Sequence, residues 1–123
     1  ELFLEFIQNK NNCLIVDYLI HKFDTHSVYI KNNLIQNINF NSNEQKPNGQ
    51  FTGISKFNKS SLKLIKKSLN NFNKNKNLDG EFVKLIESLI KNNLTIFPFY
   101  ADEKIWINVN NKLKLDFARK KFG

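Results

Sequence analysis

The four-residue apolar run CLIV, from Cys13 to Val16, is the segment that most constrains the fold. It offers no charged side chain to solvent, and unbroken runs of this kind are typical of strands buried on both faces of a sheet. Segments with strand and helix periodicity then alternate along the 123 residues, which argues against a helical bundle or a β-sandwich. We therefore expect an α/β protein whose layered sheet includes some antiparallel pairs.

The remaining elements are predicted from periodicity and from breaker residues. Leu2 to Ile7 has helical spacing, and two extended segments, 28–30 and 34–40, are joined by Asn residues that tolerate the positive φ of a tight hairpin. Next come a strand over 51–57, a helix capped by Ser60 or Ser61, and a solvated connection over 70–77. A helix capped by Asp79 and ended by Asn92 or Asn93 follows, and then a strand over 94–100 whose Pro98 puts it at an edge or a bulge. The chain ends with a strand over 105–109 and a helix capped by Asn110 or Asn111. The chain has no internal repeat, and we expect a single domain.

The charge balance is basic, with 19 Lys and Arg against 11 Asp and Glu and a net charge of +8. Such an excess can signal an anionic partner. However, Asn, Lys, Ile and Phe are abundant while Arg, Gly, Ala and Pro are scarce, which is the bias of AT-rich codons. Most aromatic residues fall on apolar faces or in strands, whereas single-strand binders interleave exposed aromatic and basic residues. A nucleic-acid partner is therefore not expected.

Membrane, redox and covalent chemistry are not expected either. No apolar run approaches the roughly 18 residues that cross a bilayer. Cys13 is the only cysteine, so we expect it to be a small buried hydrophobe in a cytoplasmic protein. His21 and His26 lack the i, i+4 spacing of a helical metal pair, and there is no Gly-x-Ser-x-Gly elbow.

Three local motifs, taken with the order of the elements, are similar to one enzyme family. They are LIVD (Leu14 to Asp17) followed by a hairpin, GQFTGISKF (Gly49 to Phe57), and IWINVNN (Ile105 to Asn111) with the continuation LKLDFARKKF. They resemble the C-terminal half of nucleotidyltransferases of the sugar-phosphate and phosphocholine cytidylyltransferase type, over nearly the whole chain. The resemblance implies a Rossmann-like mixed sheet flanked by helices, with residues 1–123 forming an incomplete C-terminal half and the NTP-binding half outside it.

In that family an acceptor phosphate oxygen attacks the α-phosphorus of an NTP and pyrophosphate leaves, while Mg²⁺ and basic groups screen the negative oxygens. The resemblance implies an NTP, with CTP favoured, and a small phosphorylated acceptor such as phosphocholine, a phosphonate or a sugar 1-phosphate. It places Asn110 at a Mg²⁺ ligand position, with Asn108 as a second, less favoured ligand. The other metal carboxylate and the Gly-rich NTP loop would lie outside this chain, and no catalytic residue is expected within it.

The resemblance also implies that Asp17, Gln50 and Gly53 contact the acceptor. Each position has a structural explanation as well, since Asp17 could serve as a turn or cap residue at the end of its strand and Gly53 could only permit a bulge. For Asn110, the alternative is that it or its neighbour simply caps the last helix. The loops after Val16, near 49–53 and at 109–111 are expected to face one cleft beyond the strand ends.

The chain departs from the family pattern where acidic residues are usual. Gln50, Asn108 and Lys114 stand at such positions. A noncatalytic remnant of the same fold, or a basic nucleic-acid-binding module that uses Lys-rich helices such as 59–67, are therefore the alternatives. We also expect the chain by itself to expose apolar surface and to fold poorly or self-associate.

Overall fold

A computed structural model of the chain describes residues 1–18, 26–39, 46–74, 82–101, 109 and 111–123. Its elements, in chain order, are α1 (Leu2–Gln8), β1 (Cys13–Asp17), β2 (Ser27–Lys31), β3 (Leu34–Asn39), β4 (Gly49–Lys56), a 3₁₀ turn (Lys59–Ser61), α2 (Leu62–Lys74), α3 (Phe82–Lys91), β5 (Phe97–Ala101) and α4 (Lys112–Phe122). Strands and helices are interleaved, although β1 to β4 follow one another and so do α2 and α3, and a mixed α/β fold is confirmed.

The described strands form one open mixed sheet in the order β3-β2-β4-β1-β5. β1 lies between β4, to which it is antiparallel, and β5, to which it is parallel. β2 pairs antiparallel with β3 and β4, but its ladder with β4 contains only Ser27 and Val28. The β2–β3 hairpin therefore diverges from β4. Near its far end, the Ile35 N–H donates to the carbonyl of Ile96, just before β5, at 2.9 Å.

Both faces of β1 are covered, which explains its unbroken apolar sequence. Leu14 and Val16 face a core built from the hairpin, β4 and α3, whereas Cys13 and Ile15 face α1. The larger core consists of Leu14, Val16, Val28, Ile35, Ile38, Phe51, Val83, Ile86 and Ile96. The smaller core consists of Phe6, Cys13, Ile15 and Ala101, with Leu2, Ile54, Phe97 and Phe99 packed against it.

Asparagine occupies the left-handed positions of two turns, as expected. Asn32 and Asn33 have φ of 53° and 58°, the two positive values that a two-residue hairpin needs, and join β2 to β3. Asn93, with φ of 64°, ends α3, and the N–H of Leu94 donates to the carbonyl of Leu89 at 3.0 Å. This is the glycine-like termination of a helix, here supplied by Asn.

The start of α2 differs from the prediction. Asn58, rather than Ser60 or Ser61, is the cap, because its Oδ1 accepts the N–H of Ser61 at 3.1 Å and a 3₁₀ turn precedes the α-helix. Ser61 is instead buried, and its hydroxyl donates to Oδ1 of Asn12 at 3.0 Å. Asn12 thereby ties the start of β1 to the start of α2.

The bounds of several elements also differ from expectation. α2 continues to Lys74, so the solvated connection expected from residue 70 is wrong for its first turn. The reason is Phe72, which is half-buried and extends the apolar stripe by one turn, outweighing the weak helix propensity of Asn. β4 begins at Gly49, two residues earlier than expected.

Two predicted features fall outside the part of the chain that the structure describes. They are the cap at Asp79 and residues 105–108 of the expected last strand. Val109, the final residue of that segment, is described and is not in a strand. Among the described strands, by contrast, β5 lies at one end of the sheet beside β1, which agrees with the edge position expected for the Pro98 segment.

Candidate functional site

A row of polar residues crosses the sheet at the end where β1 finishes. Asn39 lies opposite Ser27, Ser27 opposite Gln50, and Gln50 opposite Asp17, with Ala101 completing the row on β5. Directly opposed residues in antiparallel strands point to the same face, with β carbons about 4.5–5.5 Å apart. The structure therefore brings Asp17 and Gln50, both predicted acceptor contacts, side by side. We call Asp17, Gln50 and Ser27 the polar row.

Asp17 is the only buried carboxylate among the residues that the structure describes, with 0% of its surface exposed. It follows four apolar residues on β1, an inner strand of the sheet, so packing on both sides of β1 carries it into the interior. A buried carboxylate is tolerated when donors, a positive charge or a metal ion compensate its charge. Asp17 is therefore the described side chain best suited to hold a cation or a hydroxyl-bearing ligand.

Gly49 sets the approach of β4 to β1 beside Asp17. A β carbon at this position would lie 2.6 Å from the carbonyl oxygen of Asp17 and 2.6 Å from Cγ1 of Val16, which is closer than real contacts allow. Only glycine permits this approach without displacing the backbone. The tight entry of β4 is what places Gln50 level with Asp17.

Gln50 is 2% exposed and lies between Asp17 and Ser27 in the strand pairing. An acid at this position, as in the family that the chain resembles, would set a second buried carboxylate beside the first, and like charges at that distance disfavour each other. An amide avoids that repulsion and can both donate and accept hydrogen bonds. The departure at residue 50 is thus physically compatible with a polar binding position.

Gly53 is not brought into the polar row. It lies in an irregular stretch of β4, where the partner of Leu14 is Ser55 but that of Val16 is Phe51, so β4 carries extra residues opposite Ile15. Its φ is +92°, and an added β carbon would meet no heavy atom within 4 Å. The positive φ of a bulge therefore explains this glycine, and its contact with an acceptor stays a prediction.

A depression of about 480 Å³ lies beside the β2–β3 hairpin. It is lined by Tyr29, Ile30, Lys31, Gln36, Lys46 and Asn48. Alternate residues of a strand share a face, so Ser27, Tyr29 and Lys31 follow one another along β2 on the face of the polar row. Oδ1 of Asn48 accepts the N–H of Ile30 at 2.6 Å, which fixes the loop before β4 against the hairpin. The concave surface, which carries two lysines, thus begins two residues from the polar row on β2, at Tyr29, and two residues before Gln50, at Asn48.

Sequence reasoning missed Tyr29, Lys31 and Lys46 as site residues. The period-two spacing of Ser27, Tyr29 and Lys31 was a usable signal, because it predicts one shared face. Nothing in the sequence indicated that Lys46, fifteen residues further on, would meet that face. Its position depends on the pairing of β2 with the entry of β4.

The start of α4 shows which of the two asparagines at 110 and 111 caps the helix. Asn111 is the N-cap of α4, and its Oδ1 accepts the N–H of Lys114 at 2.9 Å. The capping explanation therefore belongs to Asn111. Asn110 and Asn108, the predicted metal ligands, lie outside the described residues.

The fit of Mg²⁺ can be tested on the described residues alone. Within them, no three His, Cys, Asp or Glu side chains cluster closely enough to hold a metal ion. Mg²⁺ nevertheless often takes only one or two carboxylates, with water and substrate phosphates filling its other positions. Asp17 meets that requirement as a single oxygen ligand at the end of a strand.

Comparisons with protein-family models, with curated proteins and with solved structures each find no match to this chain. The site must therefore be interpreted from its own chemistry. In the described part of the chain, none of the helices has the length and apolar character required to cross a membrane.

Proposed function

We propose that this chain is the acceptor-binding and metal-binding half of a nucleotidyltransferase with a Rossmann-like fold. The enzyme moves a nucleoside monophosphate from an NTP, with CTP favoured, to phosphocholine, a phosphonate or a sugar 1-phosphate in the cytoplasm. The observation that carries the proposal is the pairing of Asp17 with Gln50. Two motifs that are 32 residues apart in the chain, LIVD and GQFTGISKF, thereby meet at one end of the sheet.

The chemistry assigned to this chain is positioning and charge screening. An oxygen of the acceptor phosphate attacks the α-phosphorus of the NTP, the bond from that phosphorus to the bridging oxygen breaks, and pyrophosphate leaves with the electron pair. Gln50 would hold the acceptor by hydrogen bonds, and Lys31 and Lys46 would lower the repulsion between its phosphate and the NTP. No covalent intermediate on the protein is involved.

Asp17 and Asn110 are the residues that would hold Mg²⁺. When bound, the ion would neutralise phosphate oxygens around the reacting phosphorus. This assignment moves Asp17 from the acceptor role expected from the sequence to the metal role, because it is the one buried carboxylate among the described residues and lies in the polar row. An ammonium group of the acceptor is the other cation that Asp17 could face.

The test is pyrophosphate release by the intact protein with Mg²⁺, with each NTP offered against phosphocholine, a phosphonate and a panel of sugar 1-phosphates. We expect release with one NTP and one acceptor. Asp17→Asn and Asn110→Ala should each reduce the rate at least 100-fold, whereas Gln50→Ala should chiefly raise the KM for the acceptor. Asn71→Ala, on the exposed surface of α2, is the matched control and should keep full activity.

A second measurement separates metal binding from turnover. Gln50→Glu would place two buried carboxylates side by side, so its melting temperature should fall without Mg²⁺ and recover when Mg²⁺ is added. The Asp17→Asn variant should show no such recovery. Absence of pyrophosphate release with every pair would reject the transferase, and a Mg²⁺ response without release would favour the noncatalytic remnant.

A further inference from the structure

Helix α2 and the 3₁₀ turn before it carry several positively charged side chains and no negatively charged one. Residues 59–74 contain five lysines and no Asp or Glu, so this segment holds five of the eight net positive charges of the chain. All five lysines are exposed. AT-rich codons favour lysine over acidic residues along the whole chain, but all 11 Asp and Glu residues lie outside this segment.

The lysines are also aligned. At 100° per residue, Lys63, Lys66, Lys67 and Lys74 fall within an arc of about 100° on α2, and Lys59 lies one turn before Lys63. At 1.5 Å per residue, the α-helical part of this stripe is about 16 Å long. The half-buried side chains of Ile65 and Phe72 lie on the opposite side of the helix. We call these five residues the lysine stripe.

The stripe is not neutralised within the described part of the chain. None of its five lysines forms an ion pair there. Helix α4 differs, because its Arg119 Nη1 lies 3.8 Å from Oδ1 of Asp116. α3 likewise mixes signs, with Glu87 between Lys84 and Lys91. A solvated helix face usually intersperses both signs, and a single-sign row instead creates a field that attracts a linear polyanion.

We propose that the lysine stripe binds the phosphodiester backbone of a nucleic acid. The partner is contacted through phosphates only, because the one aromatic residue of α2, Phe72, is half-buried on the opposite side of the helix and is not placed to stack on a base. The burial of most aromatic residues argues against binding by base stacking, but it does not argue against contact with the phosphate backbone. The binding is independent of sequence and strongly dependent on salt. It does not depend on the proposed transferase activity.

The experiment measures binding of the intact protein to a fluorescent 20-nucleotide oligo-dT and to a 20-base-pair duplex between 50 and 200 mM NaCl. Five phosphate contacts predict a slope of log K against log salt of about −3.5 for the single strand, which is a roughly 100-fold loss over this range. Oligo-dA should bind with the same affinity as oligo-dT. The duplex arm identifies which form of nucleic acid is preferred.

Two triple variants with the same change of net charge separate the stripe from the total charge. Lys63→Gln, Lys67→Gln and Lys74→Gln should bring the slope to about −1.4 and weaken binding at 100 mM at least tenfold. Lys91→Gln, Lys112→Gln and Lys120→Gln, which are exposed and outside the stripe, should leave the slope unchanged. A charge-retaining triple, Lys63→Arg, Lys67→Arg and Lys74→Arg, should bind as the parent does. Circular dichroism confirms that each variant is folded.

Three results would overturn the proposal. The first is no binding of either nucleic acid at 50 mM salt. The second is an equal loss of affinity in both glutamine triples, which would assign the binding to net charge alone. The third is binding to vesicles containing phosphatidylserine without binding to either oligonucleotide, which would assign the stripe to an anionic membrane surface.

Discussion

At the scale of single residues, the two glycines of β4 have different structural roles, and substitution separates them. Gly53→Ala should lower the free energy of unfolding by about 1–3 kcal/mol, because φ of +92° strains any residue with a β carbon. Gly49→Ala should cost more, since its β carbon would meet the Asp17 carbonyl oxygen, and the backbone there cannot move without opening the β1–β4 ladder. Denaturant unfolding of both variants measures the difference. If Gly53→Ala kept its stability but bound the acceptor more weakly, the role of Gly53 would instead be to let the acceptor approach the backbone.

Cys13 gives a second prediction at this scale, through pH. Burial raises the pKa of the Cys13 thiol above its ordinary value, and the nearby ammonium of Lys56 partly offsets the shift. The unfolded chain therefore releases this proton at a lower pH than the folded chain. Stability contributed by the neutral thiol is complete below the unfolded pKa and is lost as the pH rises through the folded pKa, at no more than about 1.4 kcal/mol per pH unit.

The measurement for Cys13 is the free energy of unfolding from pH 7 to 11, compared with Cys13→Ala. Other titrating groups affect both proteins equally, so the difference between the two curves isolates the thiol. The wild-type curve should fall more steeply above about pH 8.5. Parallel curves would contradict the prediction, as would rapid alkylation of Cys13 at neutral pH in the folded protein.

The residues also mark how far sequence reasoning reaches. Asn32, Asn33 and Asn93 were predictable at left-handed positions because the preference for positive φ is a property of the residue itself. Asn12 and Asn58 were not, because their roles depend on partners that the fold supplies. The Nδ2 of Asn12 donates to the carbonyl of Thr95, 83 residues away, and its Oδ1 accepts the N–H of Asn58 at 2.8 Å.

At the scale of elements, α1 is held at its end by a side chain from β4. Nζ of Lys56 donates to the carbonyl oxygens of Phe6 at 3.2 Å, of Ile7 at 2.5 Å and of Asn9. These carbonyls lie at the C-terminal end of the helix, where a positive charge is favourable. Lys56 therefore links the C-terminal end of α1 to β4.

Lys56→Met should detach α1 while leaving the sheet intact. We expect a loss of about 1–3 kcal/mol in the free energy of unfolding, because three acceptors lose a charged donor. Hydrogen exchange should become fast in residues 2–9 and remain slow in β1. Lys63→Met, which removes an exposed lysine without partners in the described residues, is the matched control. Equal exchange in the two variants would reject the link.

Elements were predicted best where the pattern is local. The α1 helix, the β1 strand and the hairpin follow from apolar spacing and Asn turns, and the structure confirms each. The start of α2 was wrong because a 3₁₀ turn separates its cap from the α-helix, and periodicity does not detect such a turn. The Asp17–Gln50 pairing required knowledge of strand order, which the sequence could suggest only through the family resemblance.

At the scale of the whole molecule, two helices leave large apolar side chains in solvent. Phe3, Leu4 and Ile7 of α1 are 54%, 63% and 63% exposed, and Leu113 and Phe117 of α4 are 79% and 57% exposed. Apolar surface in patches of this kind favours association. We therefore expect the 123-residue chain by itself to self-associate at micromolar concentration.

Sedimentation velocity over a concentration series measures this association. Phe3→Ser with Ile7→Ser should shift the distribution toward monomer, and Phe117→Ser should act in the same direction if α4 contributes. A matched substitution of an exposed polar residue, Gln8→Ser, should have no effect. A single concentration-independent monomer with a cooperative thermal transition would contradict the expectation that these faces need a cover.

The hairpin of β2 and β3 is joined to the rest of the sheet by few backbone bonds but is held by buried side chains. In the described part of the chain, β2 shares two residue pairs with β4, and the Ile35 N–H donates to the carbonyl of Ile96 before β5. Val28, Ile35 and Ile38 nevertheless lie in the larger core with Ile86 of α3, so the hairpin cannot swing away without opening that core. A ligand in the depression beside Tyr29 and Lys31 would therefore meet a preformed wall, and the Ile35 amide should exchange slowly with or without it.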